Sequence, residues 1–172
     1  GSNNVAVGFR SLCSNTTANN NTAVGLCALI SNTTGTRNTG VGNKVMKFNT
    51  IGVDNTAVGY NALDGNNEGN YNTGIGSNAL GVNSVGSNNV AVGKGALSAN
   101  TEGTNNVAIG IDAMLSSTTA NSNIGIGRQA LYTNTTSTGN TAVGALALNV
   151  STGASNSAFG CGSLRNNTTG TD

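Results

Sequence analysis

Groups able to do acid–base or nucleophilic chemistry are few in this chain, and their spacing points away from catalysis. The carboxylates Asp54, Asp64, Glu68, Glu102, Asp112 and Asp172 stand apart from one another, and there is no histidine. Acid–base catalysis needs two such groups held together, and a nucleophile needs a base beside it, so no serine or thiol here is activated. Cys13, Cys27 and Cys161 form no CxxC pair, and without histidine a Cys/His zinc site is excluded. They read as small apolar fillers, and an odd number of free thiols favours folding in a reducing compartment. Gly74-Ile75-Gly76 and Gly125-Ile126-Gly127 have the look of phosphate-loop fragments, but no helical pattern follows them. Neither an enzyme nor a bound cofactor or metal is expected. The polar group that does recur in a fixed place is the asparagine amide, whose chemistry is hydrogen bonding.

That placement belongs to a repeat. Glycines stand at Gly8, Gly25, Gly42, Gly59, Gly76, Gly93, Gly110, Gly127 and Gly144, each 17 residues after the last, and Gly160 follows after 16. Four places before each anchor glycine is an asparagine: Asn4, Asn21, Asn38, Asn55, Asn72, Asn89, Asn106, Asn123, Asn140 and Asn156. One place before it lies an apolar column of Val7, Val24, Val41, Val58, Ile75, Val92, Ile109, Ile126, Val143 and Phe159. Two places before it only Ala or Gly occurs. Four places after it runs a second column: Leu12, Leu29, Met46, Leu63, Leu80, Leu97, Met114, Leu131, Leu148 and Leu164. A short fixed period is the mark of a solenoid, in which no unit buries its apolar face alone.

The elements follow from this pattern. Thr-Ala-Val alternates as a short strand does, its outer two residues on one face and the small residue on the other. We expect the Val/Ile column to stack inside the coil. The anchor glycine then turns the chain into a second short strand carrying the Leu column, so that two apolar columns face each other. The asparagines are expected to stack as an amide ladder, and the Asn-Thr-Thr-Gly segments, such as Asn32 to Gly35 and Asn167 to Gly170, to close each coil as polar loops. At roughly 4.8 Å per coil the stack would rise about 45 to 50 Å. The fold class is thus all-β, a parallel β-solenoid of ten 17-residue coils. Gly1 and Ser2 read as a cloning remnant, and residues 3–172 as one domain expected to belong to a longer array.

Composition narrows the partners. Seven basic and six acidic residues are scattered to a net charge of +1, without the clustered cations that phosphate backbones require. Nucleic acid is not expected, nor membrane contact, since no stretch approaches the roughly 20 apolar residues of a span. There are three Phe, three Tyr and no Trp, and one Val and one Leu per coil bury little area against the ordering of the backbone. Further burial is required, and the Ala/Gly column is expected to supply a smooth strip against which other copies pack.

The phrases Asn89-Val90-Ala91-Val92-Gly93 and Asn106-Val107-Ala108-Ile109-Gly110 resemble the head repeat of trimeric autotransporter adhesins of the YadA type. The resemblance extends over all ten units and implies a left-handed β-roll, three of which pack as a homotrimer. It implies a bacterial cell surface location and attachment to a host receptor, matrix protein or glycan. Similar arrays also look like fibre shafts of phages and large viruses, which would make the chain a virion fibre or a plain structural spacer. The recognition residues are unknown. The most variable positions, one, two and five after the anchor, offer Phe9, Arg10, Lys44, Lys47, Tyr60, Lys94, Ile111, Asp112, Arg128 and Tyr132. Breaks in the repeat fall at Asn43 to Val53 and in the unit with Asp64, Glu68 and Tyr71. Threonine columns, Thr22, Thr39, Thr56 and Thr73 with Thr16, Thr33 and Thr50, raise ice binding as a third possibility.

Overall fold

Each repeat makes one three-residue strand. In a computed structural model they run β1 Val5–Val7, β2 Thr22–Val24, β3 Thr39–Val41, β4 Thr56–Val58, β5 Thr73–Ile75, β6 Val90–Val92, β7 Val107–Ile109, β8 Ile124–Ile126, β9 Thr141–Val143 and β10 Ser157–Phe159. The structure describes residues 1–168 and Gly170. Thr169, Thr171 and Asp172 lie outside the described residues, and with them one of the six carboxylates and part of the last Thr-Thr-Gly loop.

The strands stack in sequence order into one parallel ten-stranded sheet. Thr22 pairs with Thr39, Ala23 with Gly40 and Val24 with Val41, and the same register, position against identical position, continues along the ladder. Among the described residues there is no helix. A β-solenoid is therefore what the period builds: each coil supplies one rung, and the hydrogen bonds run from coil to coil. They continue around the coil beyond the strand, as where the Leu29 N–H donates to the Val45 carbonyl at 3.0 Å and the Cys27 N–H to that of Phe9 at 2.9 Å.

The strand's two faces are assigned the other way round from the sequence expectation. Ala23, Ala57, Ala91, Ala108 and Ala142 are fully buried, whereas Val41 and Ile75 of the Val/Ile column are 38% and 40% exposed. Val58, Ile109, Val7 and Phe159 are exposed too, and Val24, Val92, Ile126 and Val143 are half-buried. The reason is the width of the coil. A Cβ placed on Gly40 would lie 3.2 Å from the Met46 terminal methyl, and one on Gly125 2.8 Å from Met114 Cγ. The strand's inward position thus faces the Leu/Met column at a distance that admits a methyl group or nothing. Ala/Gly is the inner lining, not a strip for other copies, and Val/Ile is the outer column.

The Leu column is buried as expected except at its last rung: Leu29, Leu63, Leu80, Leu97, Leu131 and Leu148 are inaccessible, with Met46 and Met114 in the same row, while Leu164 in the terminal coil is exposed. The second strand expected to carry it does not form. From Leu29 (φ 51°) to Leu148 (φ 45°) these residues adopt the left-handed conformation, as do Arg10, Cys27 and Lys44 two places after their anchors. Left-handed turns cost non-glycine residues about 1–2 kcal/mol each, a cost met by burial of the leucine and by its ladder hydrogen bond. The cysteines are not core fillers either. Cys13 and Cys161 are exposed and Cys27 half-buried, all three as free thiols.

Candidate functional site

From Asn21 to Asn156 the asparagine before each strand is buried and hydrogen-bonded, while Asn4, before β1, is half-buried. The Asn21 Oδ1 accepts the backbone N–H of Asn38 in the next coil at 2.9 Å, while the Asn38 Nδ2 donates to the Gly52 carbonyl at 2.7 Å. The pattern repeats from Asn55, whose N–H donates to Asn38 Oδ1 at 3.0 Å and whose Nδ2 donates to the Gly69 carbonyl at 2.8 Å. One amide therefore does two jobs. It joins coil to coil, and it ties the start of a coil to its polar loop across the interior. Asn72, Asn89, Asn106, Asn123 and Asn140 repeat the coil-to-coil bond. This role is structural, as the sequence reading had it.

A second amide ladder went unread in the sequence. Asn32, Asn49, Asn66, Asn83 and Asn100, seven places after their anchors, are completely buried. The Nδ2 of each donates to the Oδ1 of the one before, from Asn49 to Asn32 at 2.8 Å through Asn100 to Asn83 at 2.7 Å. The signal was present as a column of Asn at fixed spacing, but inside Asn-Thr-Thr-Gly it looked like turn chemistry. The ladder stops at Ser117, and there the Asn100 Oδ1 is left buried without a partner, as is the Ser117 hydroxyl.

The outer surface holds what is left for recognition. Phe9, Arg10, Tyr60, Lys94, Ile111 and Arg128 are exposed, and Lys44, Lys47, Asp112 and Tyr132 half-buried, spread over six coils. The structure brings few of them together. Lys47 lies over the Phe48 ring, 4.3 Å from its centre. Arg37 pairs with Asp54 of the next coil through two parallel bonds of 2.6 and 2.7 Å, which holds the Asp54 carboxyl below its usual range. Among the described residues no group of three His, Cys, Asp or Glu could hold a metal ion. The sheet face is the surface on which residues recur in register from coil to coil. On it the Val/Ile column runs beside a column of Val5, Thr22, Thr39, Thr56, Thr73, Val90, Val107, Ile124, Thr141 and Ser157.

Comparison with protein-family models found no match, and neither the curated proteins nor the solved structures yielded one.

Proposed function

We propose that this chain is a segment of an attachment fibre in which three copies pack side by side through their sheet faces, presenting their outer turns to a surface or receptor. The observation that carries the reading is the unbroken outer column from Val7 to Phe159, apolar at every rung and exposed or half-exposed along its whole length. Contiguous apolar surface on that scale marks an interface, because leaving it in water forgoes about 25 cal/mol per Å². A flat ladder in which each coil repeats the last best fits another ladder of the same spacing, namely a second copy of the chain. The number three, and a place on a bacterial surface or in a virion fibre, come from the resemblance of the repeat to YadA-type heads. Attachment would then act through multivalency, with three identical faces converting weak contacts into avidity. A plain spacer is the same assembly without a site of its own.

The decisive measurement is molar mass by light scattering beside far-UV circular dichroism. A β-rich trimer is expected for the native chain, and a folded monomer for Ile75→Asp with Ile109→Asp, which touches only the outer face. A native chain that is a well-folded monomer at all concentrations overturns the reading. It would favour instead a second use of the same face, ice binding, for which the in-register Thr22, Thr39, Thr56 and Thr73 speak. Thermal hysteresis of that monomer would establish it.

A further inference from the structure

The unit with Asp64 breaks the repeat in space as well as in sequence. Five places after the anchor, neighbouring coils carry Lys47, Asp64, Gly81 and Ser98, and glycine occurs at this place in no other coil. The three atoms nearest a Cβ added to Gly81 all belong to Asn78, none closer than 3.3 Å, so a side chain is missing here where there is room for one. That gap is a notch of about 290 Å³ lined by Asn61, Asp64, Asn78, Gly81, Val82 and Ser98. Its volume is at the lower end of small-molecule sites, about 300 to 1,000 Å³. It lies among the turns, and none of its lining residues belongs to the sheet face.

Two oxygens of the lining are unsatisfied. Asn61 Oδ1 and Asp64 Oδ1 are shielded from solvent and accept no hydrogen bond from the protein. Buried acceptors are seldom left so, and each costs about 1–3 kcal/mol. The ligand that fits must bring donors. A metal cation meets a single carboxylate here, with Lys44 and Lys47 close enough to favour the charged form of Asp64. An anion meets that carboxylate directly. A neutral molecule with several hydroxyls meets neither obstacle: once the Asn61 and Asp64 side chains turn their shielded oxygens into the notch, its O–H groups donate to them, and its oxygens accept from the amides of Asn61 and Asn78 and the hydroxyl of Ser98. The half-exposed Val82 offers an apolar surface to a C–H face.

We propose that the Gly81 notch binds a single pyranose ring, making this coil a sugar-recognition point on an otherwise regular rod. Burial also holds the Asp64 carboxyl above its usual range, a folding cost retained at the one carboxylate in the notch. The inference rests on the attachment reading for its biological sense, but its test does not, since a monomer carries the notch as completely as a trimer.

The test is saturation-transfer NMR of the chain with millimolar methyl glycosides of glucose, galactose, mannose, fucose and N-acetylglucosamine. At least one is expected to receive saturation, with unchanged transfer in EDTA. Gly81→Leu, which fills the notch, should abolish that transfer, and Asp64→Asn should weaken binding about tenfold or more, while both keep the native circular dichroism. If Gly81→Leu fails to fold, Ser98→Leu closes the notch from the other side. No transfer to any glycoside, equal transfer to a folded notch-filled variant, or transfer abolished by EDTA would each overturn the proposal, the last in favour of a bound cation.

Discussion

At the scale of the residue, the buried amides show how closely a thin interior is accounted for. Where the inner ladder is intact, each asparagine is followed three residues later by a glycine: Asn32 and Gly35, Asn49 and Gly52, Asn66 and Gly69, Asn83 and Gly86, Asn100 and Gly103. The pairing is steric. A Cβ on Gly69 would collide with the Oδ1 of Asn66 in its own coil, as one on Gly52 would with that of Asn49, and would also come within 2.7 Å of Asn83 Nδ2 in the next coil. Where the ladder breaks, Ser117 is followed by Ala120. Ser117→Asn combined with Ala120→Gly should supply the missing donor to Asn100 Oδ1 and raise stability by about 1–2 kcal/mol. A urea titration of the single and double variants checks this: the double should exceed the sum of the singles, because the amide needs the room that the glycine leaves.

At the scale of the element, a coil is a three-residue strand, a left-handed corner and a loop, and these parts tolerate change unequally. The one 16-residue coil has Ser151-Thr152-Gly153, with one residue between the inner position and the glycine, where the coils from Asn32 to Asn100 have two. The cross-coil bond survives the omission, Asn140 Nδ2 reaching the Gly153 carbonyl at 2.9 Å and the Asn156 N–H reaching Asn140 Oδ1 at 2.9 Å. Deleting Thr34 from the loop should therefore cost no more than about 2 kcal/mol, a few ladder hydrogen bonds, with native circular dichroism retained. Deleting Ala57 should unfold that coil and its neighbours, because a one-residue slip in a strand drives Val58 toward the narrow interior. Melting curves of the two deletions separate these outcomes.

The same asymmetry explains what the sequence made legible. The period fixed coil number, strand position and register, because each depends only on which residues recur where. The orientation of the strand was not legible, since alternation defines two faces without saying which is inside. Ala at the inner position fits either a tight interior or a close external contact, and only the distance to Met46 and Met114 decides between them. The left-handed leucines were hidden for another reason. Leucine carries no turn signal, and the neighbouring column five places before the anchor, with Asn20, Asn88, Asn105 and Gly139, was the visible trace of such backbone. Of the Gly81 notch only Asp64 was legible, as one of the residues that break their unit; Gly81 and the cavity were not, since a cavity depends on what the coils on either side present.

At the scale of the whole molecule, stability should scale with the number of coils, since each touches only its neighbours. Excising residues 106–122 joins Asn105 to Asn123 in phase and sets Asn134 next after Asn100, removing the break at Ser117 along with the coil. The shortened chain should fold, with a urea m-value lower by about a tenth because less surface is exposed on unfolding. Its midpoint should fall less than that of a chain lacking residues 55–71, where the ladder was continuous. Equal losses would show that the break at Ser117 carries no energetic weight.

The anchor glycines have one more consequence. From Gly8 to Gly144 each has a positive φ, and at Gly59 the place of a Cβ is taken by the Gly76 backbone, whose carbonyl oxygen would be 2.8 Å away. The distance between coils is thus set where main chain touches main chain, out of reach of any side chain. Surface residues can be exchanged freely while the rise per unit stays constant. The rod is a ruler graduated in glycines, and its length is set by counting repeats.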